Sequence, residues 1–278
     1  MTAMPKPLAI DLYAGLGGWA EGLLAEGYDV IGFDIERHEY GEHRYPGLHV
    51  IQDVTTLHGM QFRNAALIVA SPPCQEYSYM AMPWKRAKAK AAAIRADTTG
   101  KMLADLTRLF DACFRIQKEA SFAAGRHIPL IVENVRGAQP WVGRARWNFG
   151  SFYLWGDVPA VMPITLAKVP GLNWSRYGEP GYKGEGFNTH ADRNVREHTK
   201  NNGGSWFAIA HNTTSGKGRN PVAEGRKGAG AGAAWFDANL CQLPSSSLRR
   251  KMASAMIAKI PAPLARHIAR TYWPESSI

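Results

Sequence analysis

A glycine-rich turn near the start of the chain joins a short aliphatic run to a helical pattern. Leu8 to Asp11 has the composition of a buried strand, residues 15–18 read Gly-Leu-Gly-Gly, and the apolar spacing from Trp19 to Glu26 is helical. Glycines at such a junction let the backbone turn tightly and approach a ligand closely. A strand, a glycine turn and a helix in this order are typical of an α/β domain built on a parallel sheet.

Three further aliphatic runs continue this alternation, and each ends where Gly, Pro or polar residues take over. They are Tyr28 to Phe33, Ala66 to Ala70 and Pro129 to Val132. A long helix is predicted from Met102 to Ala124, with Cys113 on its apolar stripe and therefore in the core. These elements predict an α/β domain over residues 1–156.

The second half of the chain has a different character. Residues 157–240 are rich in Gly, Asn, Lys, Arg and aromatic residues and show little sustained periodicity, which predicts a small irregular lobe. Residues 241–278 regain helical spacing from Leu248 to Arg270, interrupted by Pro261 and Pro263.

Composition narrows the kind of partner. The net charge is +10 in 278 residues, and clustered Lys and Arg gain affinity for a polyanion by releasing condensed counterions. Three scattered cysteines form neither a disulfide framework nor a CxxC pair, so we expect no zinc site. No leader opens the chain and no apolar run approaches the roughly 20 residues that span a bilayer. We therefore expect a cytoplasmic protein with no membrane contact.

An acidic residue follows the second aliphatic run. Asp34 lies 23 residues after Asp11, where a carboxylate at a strand end can accept both ribose hydroxyls of an adenosine. The glycine turn and this acid together predict a nucleoside-containing cofactor. They do not select one, because residues 15–20 also fit the dinucleotide fingerprint of dehydrogenases.

A cysteine follows the third aliphatic run, in the segment Ser-Pro-Pro-Cys-Gln-Glu-Tyr-Ser at residues 71–78. A lone cysteine is more often a small buried hydrophobe, but Cys74 lies among prolines and polar residues. Pro72 and Pro73 restrict the direction of its thiol. The fourth run ends in Glu133, which we expect at the same edge of the sheet. A cysteine and a glutamate at neighbouring strand ends form the nucleophile and acid pair that covalent catalysis requires.

These motifs, in this order, resemble those of the DNA (cytosine-5) methyltransferase family. The segments that carry the resemblance are Asp11–Gly18, Asp34, Gln52–Val54, Pro73–Gln75 with Ser78, and Glu133–Val135. Residues 260–265 are similar to the motif that returns the family's C-terminal helix to the cofactor site. The resemblance implies a Rossmann-like fold for S-adenosylmethionine-dependent methyl transfer over residues 1–156, a target-recognition region over residues 157–240 and a returning helical segment over residues 241–278.

The resemblance also implies a reaction and its residues. A methyl group would pass from S-adenosylmethionine to carbon 5 of a flipped-out cytosine in double-stranded DNA, through a covalent adduct with Cys74, in a monomer without a metal. The implied catalytic residues are Cys74, Glu133, Arg144 and Arg146, the arginines standing in for an incomplete Gln-x-Arg-x-Arg element. The implied cofactor-binding residues are Asp11, Tyr13, Ala14, Gly15, Gly17, Gly18, Asp34, Ile35, Asp53, Val54 and Pro73. The implied substrate-binding residues are Gln75, Ser78 and Asn134.

Several alternatives stay open from the sequence. The basic stretch from Tyr79 to Arg95 resembles the family's mobile loop, but an ordinary basic amphipathic helix would have the same composition. A tRNA cytosine-5 methyltransferase would share the catalytic residues, although its Cys-Phe-Thr signature is absent. A catalytically silent nucleic-acid-binding module could keep the fold, and intact Cys74 and Glu133 argue against it. A dehydrogenase would not explain the segments around either residue.

Overall fold

The computed structural model describes residues 5–77, 84–150, 152–162 and 247–274. Almost all of the predicted target-recognition region, 157–240, and the predicted substrate residue Ser78 lie outside these ranges. The chain divides into two units, residues 1–148, 152–163 and 260–278 in one, and residues 149–151 and 164–259 in the other. The domain boundaries expected from the sequence stay predictions.

A seven-stranded sheet forms the centre of the first unit. Its strands are β1 (Leu8–Leu12), β2 (Asp29–Asp34), β3 (Leu48–Ile51), β4 (Ala65–Ala70), β5 (Leu130–Asn134), β6 (Trp147–Phe149) and β7 (Phe152–Gly156). The strand order is β3-β2-β1-β4-β5-β7-β6. The first five strands pair in parallel, and β7 pairs antiparallel with β5. The predicted α/β, Rossmann-like fold is confirmed.

Helices connect the strands of the first unit. In the described residues the helices are α1 (Gly18–Ala25), α2 (Trp84–Ala96), α3 (Lys101–Ala124), α4 (Gln139–Val142), α5 (Leu248–Ala258) and α6 (Ala262–Thr271). Helix α5 belongs to the second unit. Short 3-10 turns cover residues 54–56, 59–62 and 136–138. Within these ranges no helix is long and apolar enough to cross a membrane.

The core lies where the central strands meet α3. All the residues of β5, and the last four residues of β1 and of β4, are buried, as expected for parallel strands covered on both faces. Cys113 and Ile116 of α3 are fully buried against this layer, which confirms the prediction that Cys113 serves core packing. Burial raises the pKa of the Cys113 thiol, so this cysteine is not a reactive thiolate.

Helix α6 packs closely against α1, the helix that follows the glycine turn. A Cβ built on Gly22 would lie 2.3 Å from the Cβ of Ala265, so the absence of a side chain at Gly22 lets the helices touch. Arg266 and Arg270 both donate to Glu26, and this lowers the pKa of Glu26 to about 2. The C-terminal helix therefore supports the element that begins the candidate site.

Candidate active site

The turn after β1 has an unusual backbone. Gly15 and Gly17 have φ angles of 52° and 75°, in the left-handed region that favours glycine. Tyr13, at 59°, is the one non-glycine residue with positive φ in the described part of the chain. The amide of Ala14 donates to the carbonyl of Phe33 at 3.0 Å, so the turn is fastened to β2. The predicted cofactor turn is therefore a tight loop at the carboxyl edge of the sheet.

Asp34, the last residue of β2, faces this turn. Its Oδ2 accepts a hydrogen bond from the Gly15 amide at 2.9 Å, and Nε2 of His38 lies 3.7 Å from the same oxygen. Burial alone would raise the pKa of Asp34, but the hydrogen bonds from His38 and the Gly15 amide outweigh it and lower the pKa. Asp34 is thus held as an anion beside the glycine turn.

Two more carboxylates belong to the same edge. Asp53 follows β3, and its Oδ1 accepts from both the amide and the hydroxyl of Thr55 at 2.8 Å, which lowers the pKa of this exposed acid. Asp11 of β1 is 1% exposed, and burial raises its pKa well above the usual range. Oδ2 of Asp11 accepts from the Tyr45 hydroxyl at 3.3 Å, whereas Oδ1 has no hydrogen-bond partner among the described residues.

The segment with Cys74 is held from three directions. The Ser71 amide donates to the carbonyl of Leu12 at 3.1 Å, and the Trp19 indole donates to the Ser71 hydroxyl at 3.0 Å. The Asn134 side-chain amide donates to the Pro72 carbonyl at 2.8 Å. Cys74 itself is half-buried and not in a disulfide. Strands β1 and β5 and helix α1 therefore fix a loop in which Cys74 is packed partly against the core.

Glu133 lies near the carboxyl end of β5, beside this loop. Ala70, the last residue of β4, pairs with Val132 of β5, so the Cys74 loop and Glu133 begin at the same level of neighbouring strands. Glu133 is 3% exposed. The register brings the predicted nucleophile segment and the predicted acid to one edge, as the sequence pattern indicated.

Asn134 is fully buried, and both ends of its side chain bond within the protein. Its Nδ2 donates to Pro72, and its Oδ1 accepts from the Val135 amide at 2.8 Å. These contacts give Asn134 a part in holding the Cys74 loop, whereas its predicted contact with substrate stays a prediction.

The two candidate arginines lie one strand further away. The Arg146 amide donates to the Leu154 carbonyl of β7 at 2.9 Å, and Leu154 is paired on its other side with Glu133. Both Arg144 and Arg146 are exposed. Strand β7 therefore separates the Arg146 backbone from β5.

The other predicted residues differ in exposure. Pro73, Gln75 and Ile35 are exposed, Ile35 by 65%. Ala14, Gly18 and Val54 are buried in or under their turns. An apolar side chain as exposed as Ile35, next to Asp34, is suited to contact a planar ring.

Helix α2 follows the nucleophile segment and is anchored at two points. Lys90 forms an ion pair with Glu76, and the Arg95 guanidinium lies 5.4 Å from the ring centre of Trp141. The stretch from Tyr79 to Arg95 is open between a mobile loop and a basic amphipathic helix in the sequence, and its described part from Trp84 onward is helical. Its buried face consists of Ala87, Ala91 and Ile94, and small alanines give little hydrophobic signal in the sequence.

Several contacts of the site had no signal in the sequence. Tyr45 reaches Asp11, Trp19 reaches Ser71, and Asn134 reaches Pro72 across separations of 34, 52 and 62 residues. No local spacing reports such pairs, because each depends on how the strands are ordered in the sheet. In the described ranges no group of three or more His, Cys, Asp or Glu side chains could hold a metal ion.

Comparison with known proteins finds a family model and several solved structures similar to this chain. Residues 8–114 match the family model of C-5 cytosine-specific DNA methylases. No protein of curated function matches the chain at a significant level. Similar solved structures include a DNA modification methyltransferase encoded within a prophage (E. coli; 25% identity, TM-score 0.31), S. pombe Dnmt2 methyltransferase (16%, 0.31) and Entamoeba histolytica methyltransferase EhMeth (17%, 0.32).

These structures match only part of the molecule. The matches cover 48%, 50% and 50% of this chain, and 33%, 37% and 41% of the respective structures. The family match, in contrast, spans the glycine turn, Asp34, Asp53 and the Cys74 loop. Over residues 8–114, the chain is therefore similar to C-5 cytosine-specific DNA methylases.

Proposed function

We propose that this protein transfers a methyl group from S-adenosylmethionine to carbon 5 of cytosine in double-stranded DNA, with Cys74 as a covalent nucleophile. The observation that carries the proposal is the register of β4 and β5, which starts the Cys74 loop and Glu133 at one level of neighbouring strands. The hydrogen bond from Asn134 to Pro72 ties the two segments together. The family match over residues 8–114 supports the same chemistry.

The acidic edge fits S-adenosylmethionine, which carries a ribose diol, an adenine amino group and an ammonium group. Asp34, with its lowered pKa, would accept hydrogen bonds from the ribose hydroxyls. Asp53 would accept a hydrogen bond from the adenine amino group. The unpartnered Oδ1 of Asp11 is a buried acceptor that a bound donor would satisfy, and buried polar atoms are rarely left without a partner. When bound, S-adenosylmethionine supplies the methyl group from its sulfonium.

The residues of the chain would activate the base. Carbon 5 of cytosine is a poor nucleophile until a group adds at carbon 6, and the Cys74 thiolate would make that bond. An ordinary cysteine has a pKa of about 8.5, so the thiol loses its proton before or during attack. Glu133, as the protonated carboxyl, would donate to N3 and stabilise the negative charge that develops in the ring. After methylation, loss of the carbon 5 proton and departure of Cys74 restore the aromatic base.

The remaining groups would position the substrate. A base stacked in a duplex cannot reach a thiol at the sheet edge, so the cytosine must be flipped out at a cost of a few kcal/mol. Arg144 and Arg146 are exposed and can donate to the cytosine oxygen or the neighbouring phosphate. Asn134 would hold the Cys74 loop through Pro72.

The test is methyl transfer by the purified full chain with labelled S-adenosylmethionine. Duplex DNA, single-stranded DNA and tRNA are offered separately, and the methylated nucleoside is identified by mass spectrometry. We expect 5-methyldeoxycytidine from duplex DNA. Label only in tRNA would refute the DNA substrate, and no label in any acceptor would refute the activity.

A cysteine pair tests the covalent step. Cys74→Ala should abolish transfer while S-adenosylmethionine still binds, because the substitution removes only the sulfur of a half-buried side chain. Cys113→Ala is the matched control, since it removes the other described cysteine, from the core. It should lower thermal stability but leave measurable transfer. Turnover by the Cys74→Ala protein at the parental rate would refute the covalent mechanism.

A further inference from the structure

Two tyrosine hydroxyls from two different site loops bind backbone carbonyls in one turn of helix α3. Tyr77, three residues after Cys74, donates to the Leu106 carbonyl at 3.0 Å. Tyr13, in the glycine turn, donates to the Leu109 carbonyl at 2.8 Å. Residues three apart in a helix lie on the same face, so a single helical turn receives both loops.

We propose that this turn of α3 sets the distance between the nucleophile loop and the cofactor turn, with Tyr77 and Tyr13 as positioning residues. The proposal rests on the proposed function, because it assigns Cys74 and the glycine turn to the two sides of one methyl transfer. Cys74 must meet carbon 6 while carbon 5 meets the methyl donor, and misplacement by about 1 Å can cost about 100-fold in rate. The rate of methyl transfer should therefore depend on the distance between the two loops.

Both hydroxyls are suited to a permanent bond. Tyr77 is 3% exposed, and Tyr13 is partly buried. Burial raises the pKa of both phenols, so they remain donors at every physiological pH. Tyr13 also has a left-handed backbone, a conformation that a non-glycine residue keeps only where its surroundings hold it. The bond to Leu109 provides part of that restraint.

Helix α3 is packed rigidly enough to fix the positions of the two loops. Its apolar face is fixed to the sheet by fully buried Cys113, Ile116 and Ala120. The same helix also holds the Asp53 turn, since the Arg115 guanidinium donates to the Thr55 carbonyl at 3.1 Å and to the Leu57 carbonyl at 3.0 Å. A loop that loses its bond to α3 would move relative to the others.

The two loops should respond differently to removal of one hydroxyl. Tyr77→Phe keeps the buried ring and should lower the single-turnover rate on duplex DNA by about 3- to 10-fold, the effect of one hydrogen bond, with an unchanged Kd for S-adenosylmethionine. Tyr13→Phe should raise that Kd by a similar factor, with a smaller effect on the single-turnover rate at saturating cofactor. A merely structural role would not separate the two constants in this way.

Tyr28→Phe is the matched control. Tyr28 is equally buried, and its hydroxyl also donates to a helix carbonyl, that of Ala269 at 3.1 Å, on helix α6. This variant should lower the melting temperature and leave both the rate and the Kd at parental values. If Tyr77→Phe and Tyr13→Phe lower stability only, as Tyr28→Phe does, the positioning role is refuted.

A second measurement does not depend on methyl transfer. Alkylation of Cys74 by iodoacetamide, followed by peptide mass spectrometry, reports how firmly the loop is held. Tyr77→Phe should increase the alkylation rate several-fold, and Tyr28→Phe should not. Equal rates in the parent and in Tyr77→Phe would overturn the inference even if methylation is observed. Absence of methylation in the parent would instead refute the proposed function. The alkylation rates would still test whether Tyr77 holds the Cys74 loop.

Discussion

Replacing the buried amide of Asn134 by a carboxyl should destabilise the protein in a pH-dependent way. Asn134→Asp keeps the acceptor that receives the Val135 amide, but it replaces the donor to Pro72 by an oxygen. Two oxygens would then face each other where the native contact is 2.8 Å. Because Asn134 is fully buried, water cannot relieve this conflict.

The size of the effect follows from the two bonds. The lost hydrogen bond contributes about 0.5–1.5 kcal/mol, and an acceptor left buried without a donor costs about 1–3 kcal/mol more. We therefore expect a loss of about 2–4 kcal/mol at pH 8, which corresponds to a melting temperature lower by about 10 °C. The loop that carries Cys74 should loosen first, because Pro72 is its anchor.

The sign of the pH dependence is determined by the new carboxyl. Burial and the facing Pro72 carbonyl should raise its pKa above the unfolded value of about 3.9. The protonated form can donate to Pro72, so the restored stability is fully present below the unfolded pKa and is lost as pH rises through the folded pKa. The difference in melting temperature from the parent should therefore shrink as pH falls from 8 toward 4.

The assay is thermal unfolding of the parent and the variant, side by side at each pH. Asn64→Asp, at an exposed position, is the matched control and should differ little from the parent throughout. A melting temperature for Asn134→Asp equal to that of the parent at pH 8 would refute the reasoning. A constant difference at every pH would show that the new carboxyl does not face Pro72.

Two further predictions concern the cofactor turn and its helix. Asp34→Asn should raise the Kd for S-adenosylmethionine by about 10-fold or more, measured by calorimetry, because bonds to a charged acceptor are the strong ones. Since the pKa of Asp34 is lowered, the affinity of the parent protein for S-adenosylmethionine should stay constant from pH 8 to 5 and fall only at lower pH, where the carboxylate is protonated. A fall in affinity between pH 8 and 5 would contradict the role of the Asp34 carboxylate in binding. Gly22→Ala should cost about 1–3 kcal/mol, because the new Cβ would lie 2.3 Å from that of Ala265. Adding Ala265→Gly should recover only part of the loss, because the new Cβ would still lie 2.8 Å from the backbone carbon of Ala265 and the amide nitrogen of Arg266. An unchanged melting curve for Gly22→Ala would contradict the close packing.

The sequence predicted the central strands because these strands are buried on both faces. The run from Ala66 to Ala70 corresponds to β4 at Ala65–Ala70, and the run from Pro129 to Val132 lies within two residues of β5 at each end. Such strands are continuous aliphatic runs, so composition alone marks them. Strand β3, by contrast, has four residues at the edge of the sheet, and Leu48 is 62% exposed. It shows neither a continuous apolar run nor a clear alternation.

The C-terminal segment shows how proline limits such predictions. Helical spacing predicted one interrupted stretch from Leu248 to Arg270, and the structure has two helices that end and begin on either side of Pro261. Pro261 disfavours helical backbone at the residue before it and lacks an amide to donate. Pro263 falls within the first turn of α6, where a missing amide has no cost.

The candidate site combines residues that local sequence can identify with anchors that it cannot. Asp34 and Glu133 lie at the carboxyl ends of β2 and β5, Cys74 follows β4, and the fold itself places the carboxyl ends of parallel strands at one edge. Their anchors include backbone carbonyls, such as those of Leu106 and Leu109, and a carbonyl places no demand on the side chain that accompanies it. A mutation at Leu106 that preserves the helix should therefore leave the bond from Tyr77 intact, whereas removal of the single phenolic oxygen should break it. Only the donor of this hydrogen bond, the Tyr77 hydroxyl, depends on the identity of a side chain. A motif search therefore finds Cys74 and overlooks Tyr77, the residue that we propose positions it.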